Sequence, residues 1–227
     1  MFNNRGHDQV AKIYTSKGAR LSGGSSHEKF TDSVDDIDGA IAFVKQNGGK
    51  RVFLVGHSTG CQKSAYWARK RGKGIEGIIL LAPISDYAAT VMLDGRDKIA
   101  RAMRYAKALI KKGRRHELLP ERIWSPSLLA DAQRFVSLYS GTGPEEIFTY
   151  WEPKRRTSPL SKVKLPILVV LAEKDQYADR TAENLYEWFL EHIYEGEVHI
   201  VPGADHGFKG EEHEVAKLIR SWASSSS

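Results

Sequence analysis

Gly56-His57-Ser58-Thr59-Gly60 stands between the apolar run Val52-Phe53-Leu54-Val55 and a helix-forming stretch from Cys61 to Arg71. A serine between two glycines, placed where a strand turns sharply into a helix, is the pattern of a nucleophile elbow, whose strained turn presents the hydroxyl to solvent. Glycine is expected on both sides of the turn because a side chain there would clash with the neighbouring strand or helix. The motif therefore demands a strand, a tight turn and a helix in that order.

The rest of the chain supplies the same alternation. Val34, Ile37, Ile41 and Val44 recur at helical spacing over Thr31 to Asn47, with Thr31, Asp32 and Ser33 as possible caps and Gly48 as a stop. After the elbow helix come a strand at 78–82, a buried strand at 167–172, a helix from Thr181 to Tyr194, a strand at 198–201 and a closing helix over 211–222. Strands alternating with helices read as repeated right-handed crossovers, hence a mostly parallel sheet flanked by helices.

Residues 87–164 are too long for a simple crossover, which needs a dozen residues or slightly more. The segment reads as an inserted helical lid, with helices near 97–112, 127–139 and 144–151. Core residues are then expected at 1–86 and 165–223, with a disordered tail at 224–227. The insertion holds 16 lysines and arginines against 8 acids, so the whole formal charge of +6 resides there and the remainder is slightly acidic. This is either a solvated basic face or a funnel for an acidic substrate or an anionic surface. Tyr105, Trp124, Phe135, Tyr139, Phe148, Tyr150 and Trp151 are expected to fill its core or to wall a pocket.

A nucleophilic serine needs a base and an orienting acid. Asp175 follows the strand at 167–172, and His206 follows the last strand within Gly203-Ala204-Asp205-His206-Gly207-Phe208. The expected catalytic set is Ser58, Asp175 and His206, all at carboxyl ends of strands, where open α/β sheets place ligands. Asp179, one helical turn later, and Asp86, after the strand at 78–82, are rivals for the acid. Asp205 reads as a loop cap. Cys61 should point into the helix packing as a small hydrophobe. His7, His27, His116, His192, His199 and His213 show no metal-ligand spacing with one another or with the cysteine, and we expect neither metal nor cofactor.

At 227 residues the chain can bury a core as one domain with an insertion, and 41% hydrophobic with 27% charged residues is ordinary for a globular protein. No apolar run reaches the length of a membrane span, and the first residues carry no signal-peptide core. A single cysteine excludes an internal disulfide framework and points to a reducing, cytoplasmic compartment. The expected partner is a small-molecule ester, with no nucleic acid; the oligomeric state is not legible.

Where Gly56-His57-Ser58-Thr59-Gly60-Cys61-Gln62 joins Leu81-Ala82-Pro83-Ile84-Ser85-Asp86, Glu173-Lys174-Asp175 and Asp205-His206, the chain resembles the α/β-hydrolase superfamily. The seven residues of the elbow are similar to a branch that includes fungal siderophore ester hydrolases. The order serine, acid, histidine agrees with that superfamily. The resemblance implies a serine hydrolase of carboxylesterase type, with the Thr59 N–H as one half of the oxyanion hole. Against the family pattern the chain begins late. Phe2 to Asp8 looks like the end of the family's fourth strand and the loop after it, so three earlier strands, the first helix and the loop bearing the other oxyanion donor should precede it. The chain therefore reads as N-terminally truncated or begun at a late start codon, with the edge of 52–55 left unpaired. A non-catalytic binding protein or fragment and an acyltransferase are the alternatives to a hydrolase.

Overall fold

The computed structural model describes residues 2–14, 17–123, 129–154 and 157–225. The chain divides into two compact units, Met1–Ala40 with Thr90–Glu145 and Ile41–Ala89 with Glu146–Ser227. The first forty residues thus group with most of the inserted segment, whereas 146–164 group with the sheet.

The sheet unit is built on four parallel strands, β3 (Phe53–His57), β4 (Gly77–Leu81), β5 (Ile167–Ala172) and β6 (Gly196–Val201), in the spatial order β3-β4-β5-β6. All six residues of β5 are buried, which is why its sequence is an unbroken apolar run rather than an alternating one. The elbow helix α2 (Thr59–Lys70) packs on β3 and β4, and α6 (Ala182–His192) packs on β5 and β6 through Leu185 and Phe189. The closing helix α7 (Glu212–Ser225) sets Val215 and Trp222 against Ile79, Leu168 and Val170. Gly77 admits the Trp222 ring, since a Cβ there would lie 2.6 Å from it. Among the described residues β3 pairs only with β4, through a register running from Phe53 opposite Gly77 to His57 opposite Leu81. It is therefore an edge strand, with Val55 48% exposed.

The other unit joins an antiparallel hairpin, β1 (Ala11–Tyr14) with β2 (Arg20–Gly23), to the helices α4 (Arg96–Lys111) and α5 (Ala132–Tyr139). Ile99, Ala102, Ala106 and Leu109 recur every three or four residues along α4 and bury one stripe against Leu119, Phe135 and Leu138. Arg101, Arg104, Lys107 and Lys111 occupy its exposed face, so this part of the basic excess is solvated. The helix α1 (Ser33–Gln46) buries Val34 and Ile37, but its expected apolar face fades toward the C-terminus, where Phe43 and Val44 are exposed. A further helix, α3 (Asp86–Asp94), follows β4.

Several sequence expectations change. Residues 144–151 form no helix; Glu145 to Tyr150 are buried consecutively, so the segment has no polar face to offer water. Phe2 to Asp8 contain turns rather than a strand end. The closing helix runs past Trp222 to Ser225, into the expected tail. Trp124 and the expected helix start at Ser127 lie outside the described residues, as do 226 and 227. Of the aromatic residues in the inserted segment, Phe135 and Tyr139 are buried in the hairpin unit and Phe148 and Tyr150 in the sheet unit, while Tyr105 is exposed.

Candidate active site

The turn between β3 and α2 holds Ser58 at φ 55° and ψ −128°, a region that residues with a Cβ rarely adopt. The two glycines of the motif are not equivalent. A Cβ on Gly56 would lie 2.4 Å from the Gly60 carbonyl oxygen and 2.7 Å from the Cys61 nitrogen, so the chain can double back only if residue 56 is glycine. A Cβ on Gly60 would meet nothing within 4 Å among the described residues. The expectation that both glycines relieve a clash therefore holds at Gly56 and fails at Gly60.

The structure brings Ser58, His206 and Asp175 together. His206 Nε2 lies 2.9 Å from Ser58 Oγ, and His206 Nδ1 lies 2.7 Å from Asp175 Oδ2. A carboxylate can only accept, so Nδ1 carries the proton and Nε2 presents a lone pair to the serine hydroxyl. The His206 imidazole and the Asp175 carboxylate are only 10% and 4% exposed, while Ser58 remains partly exposed. The second oxygen of Asp175 accepts the Tyr177 N–H at 2.9 Å, which fixes the plane of the carboxylate. The rivals are engaged elsewhere: Asp86 accepts from the buried Gln62 amide at 2.5 Å, and Asp179 is paired with its neighbour Arg180. Asp205 caps its own loop by accepting from the Gly207 and Lys209 amides.

Three further residues hold the histidine. Its main-chain N–H donates to Gln176 Oε1 at 3.1 Å, and its carbonyl accepts from His57 Nε2 at 2.7 Å. The Tyr177 ring stands edge-on to the imidazole at 4.9 Å. None of the three was singled out from sequence. The only signal was position, since His57 precedes Ser58 and Gln176-Tyr177 follow Asp175.

Thr59, at the first position of α2, has an amide with no partner within the helix, as at any helix N-terminus. Such an N–H, with the positive end of the helix dipole behind it, suits a developing oxyanion. Cys61 is fully buried and turned away, with its thiol 3.2 Å from both the Gly56 and Leu81 carbonyls. Burial pushes the thiol pKa up. Nearby, the buried Tyr150 hydroxyl accepts the Ser85 N–H at 2.6 Å and ties the 146–164 segment to the end of β4; burial pushes its pKa up as well. In the other unit, two histidines without ligand spacing in the sequence, His27 and His116, converge on Asp131.

The family described as "Protein of unknown function (DUF1749)" matches residues 22–224. No curated protein matches. Among solved structures, the chain is similar to the siderophore hydrolase EstB from Aspergillus fumigatus, at 17% identity over 87% of this chain and 75% of that one, with a TM-score of 0.61. It is similar to a monoacylglycerol lipase from Paleococcus ferrophilus, at 19% identity over 91% of this chain and 79% of the other, with a TM-score of 0.59. A thermophilic esterase from Thermogutta terrifontis superposes with a TM-score of 0.54 at 18% identity, over 99% of this chain and 78% of that one. At these identities the likeness establishes the fold, and it is the fold that the α/β-hydrolase resemblance implies.

Proposed function

The chain belongs to the family described as protein of unknown function (DUF1749), and from that footing we propose that it is a serine hydrolase cleaving an ester through an acyl-enzyme on Ser58. One observation carries the reading: an unbroken relay from Asp175 Oδ2 through His206 to Ser58 Oγ, at 2.7 and 2.9 Å, on a turn strained at φ 55°. In this mechanism Ser58 Oγ attacks the ester carbonyl carbon as His206 Nε2 takes the hydroxyl proton. The carbonyl oxygen becomes an oxyanion facing the Thr59 N–H. Collapse breaks the bond to the alcohol oxygen, which leaves with the proton from His206. Water then repeats the sequence on the acyl-enzyme, with His206 again as base, and releases the acid and free Ser58. Asp175 keeps the imidazole oriented and stabilises it while charged.

The names of the fold neighbours, a siderophore hydrolase, a lipase and an esterase, make esters the substrate class to test first. The charge of residues 87–164 favours acidic esters, because a positive field raises the encounter rate of anions at low salt. A fluorophosphonate probe should label the wild-type protein at Ser58, and Ser58→Ala should abolish both labelling and hydrolysis of short p-nitrophenyl esters. Labelling that survives Ser58→Ala would refute the assignment, and absence of both labelling and turnover would favour a non-catalytic binding protein. Neutral and carboxylate-bearing esters of equal size, compared at low and high ionic strength, test the acidic preference; equal, salt-independent rates would assign the charge to a solvated face alone.

A further inference from the structure

In the hairpin unit His27 Nδ1 lies 2.9 Å and His116 Nδ1 3.0 Å from the same atom, Asp131 Oδ2. We propose that these three side chains form a binding site for one divalent first-row transition ion, with zinc the expected occupant and a fourth coordination position left open.

The donor set is two imidazole nitrogens and one carboxylate oxygen, which suits zinc and its neighbours in the first transition row. The three donor atoms all lie within 4.8 Å of one another. Zinc bonds such donors at about 2.0–2.2 Å, so tetrahedral neighbours stand about 3.4 Å apart. The two N···O separations need to open by a few tenths of an ångström, and the nitrogens to draw together, for one ion to touch all three. His116, 64% exposed, has the freedom to make that adjustment, whereas His27 at 14% and Asp131 at 0% are held.

The frame around the site is built before any ion arrives. Asp131 Oδ1 accepts the Arg134 N–H at 2.7 Å and caps α5, which leaves Oδ2 aimed at the histidines. The segments bearing the histidines are tied to the same helix start by main-chain bonds: Asp131 N–H to the Ser26 carbonyl, Ala132 N–H to the Glu117 carbonyl, and Gln133 N–H to the Arg115 carbonyl. The buried Arg134 guanidinium is paired with Glu145 and Glu28. The Asp131 carboxylate supplies the anionic donor and the two imidazoles the nitrogen donors for the cation. As the ion takes each Nδ1 lone pair, the proton that Nδ1 carried in the hydrogen bond to Asp131 is relocated to Nε2, so neutral histidines need lose no net proton. His27 and His116 line one cleft of about 480 Å³, with Glu28, Asp32 and Gln133 on its walls, so a water or small ligand has room at the fourth position.

An ion there would clip the segment around His27 to the 116–131 region, 104 positions on at Asp131, and stabilise the folded unit by linkage.

The test uses the full chain, free of any affinity tag and stripped with a chelator. Isothermal titration with zinc chloride should show one equivalent bound, the melting temperature should rise by several degrees at saturating zinc, and cobalt(II) should give the visible absorption of a four-coordinate site. His116→Ala, at an exposed position, should retain the metal-free circular dichroism spectrum and lose more than about 100-fold in zinc affinity, beyond the loss typical of outer-shell changes. His199→Ala, which alters a half-exposed histidine paired with Glu197, should bind as the wild type does. Binding that is non-stoichiometric, or of equal affinity in His116→Ala, would overturn the proposal and leave a hydrogen-bonded trio.

Discussion

His57 Nε2 donates to the main-chain carbonyl of His206 at 2.7 Å, so the residue immediately before Ser58 anchors the loop that carries its partner. The two rings lie 5.1 Å apart, and Phe208 backs the contact. The nucleophile and the base are thus registered to each other by a bond that touches neither reacting atom.

His57→Ala should lower kcat by about 10², the cost typical of misplacing a reacting group by an ångström, with KM nearly unchanged. Steady-state kinetics on a p-nitrophenyl ester read the split. A rise in KM at constant kcat would assign His57 to substrate binding instead.

Replacing the orienting acid should cost more. Asp175→Asn should reduce kcat by about 10⁴, as loss of the correct imidazole tautomer does in other triads, whereas Asp86→Asn and Asp179→Asn should each stay within an order of magnitude of wild type. A comparable loss at Asp86 or Asp179 would move the acid to that residue.

The asymmetry of the elbow glycines predicts opposite effects on stability. Gly56→Ala forces a Cβ into the Gly60 carbonyl and should destabilise by about 1–3 kcal/mol, as overpacking does. Gly60→Ala, in the first turn of α2 with open space at its Cβ, should be neutral or stabilising by up to about 1 kcal/mol. Urea midpoints at constant slope provide the comparison.

Cys61 should resist alkylation in the folded protein. Burial raises its thiol pKa, so the neutral form persists above the pH at which an ordinary thiol ionises, and the thiolate is the form that reacts. Iodoacetamide at mildly alkaline pH should modify the chain only after unfolding in urea. Equal rates with and without urea would place the thiol in reach of solvent.

The strands and the Ser58, Asp175, His206 set were legible because each is written locally: an apolar run, then the polar residue at its carboxyl end. The supports were not. His57 and Gln176 act on the main chain of His206, a role no residue type advertises. The 145–150 segment was misread because a helix is inferred from one polar and one apolar face, and here both are buried, Glu145 being held by Arg134. His27 and Asp131 stand 104 positions apart, so their meeting follows from how the hairpin unit packs and not from any spacing.

The place of β3 in the sheet has a consequence for its amides. Ser58 N–H bonds the Leu81 carbonyl and the Val52 carbonyl accepts from Glu76, so the even-numbered residues of β3 turn their backbone toward β4. In a parallel ladder the odd-numbered ones then face the other way, where no described strand lies. Hydrogen–deuterium exchange should therefore alternate residue by residue along the strand, slow at Leu54 and Gly56 and fast at Phe53 and Val55. The nucleophile hangs from a one-sided zipper, held among the described strands by β4 only.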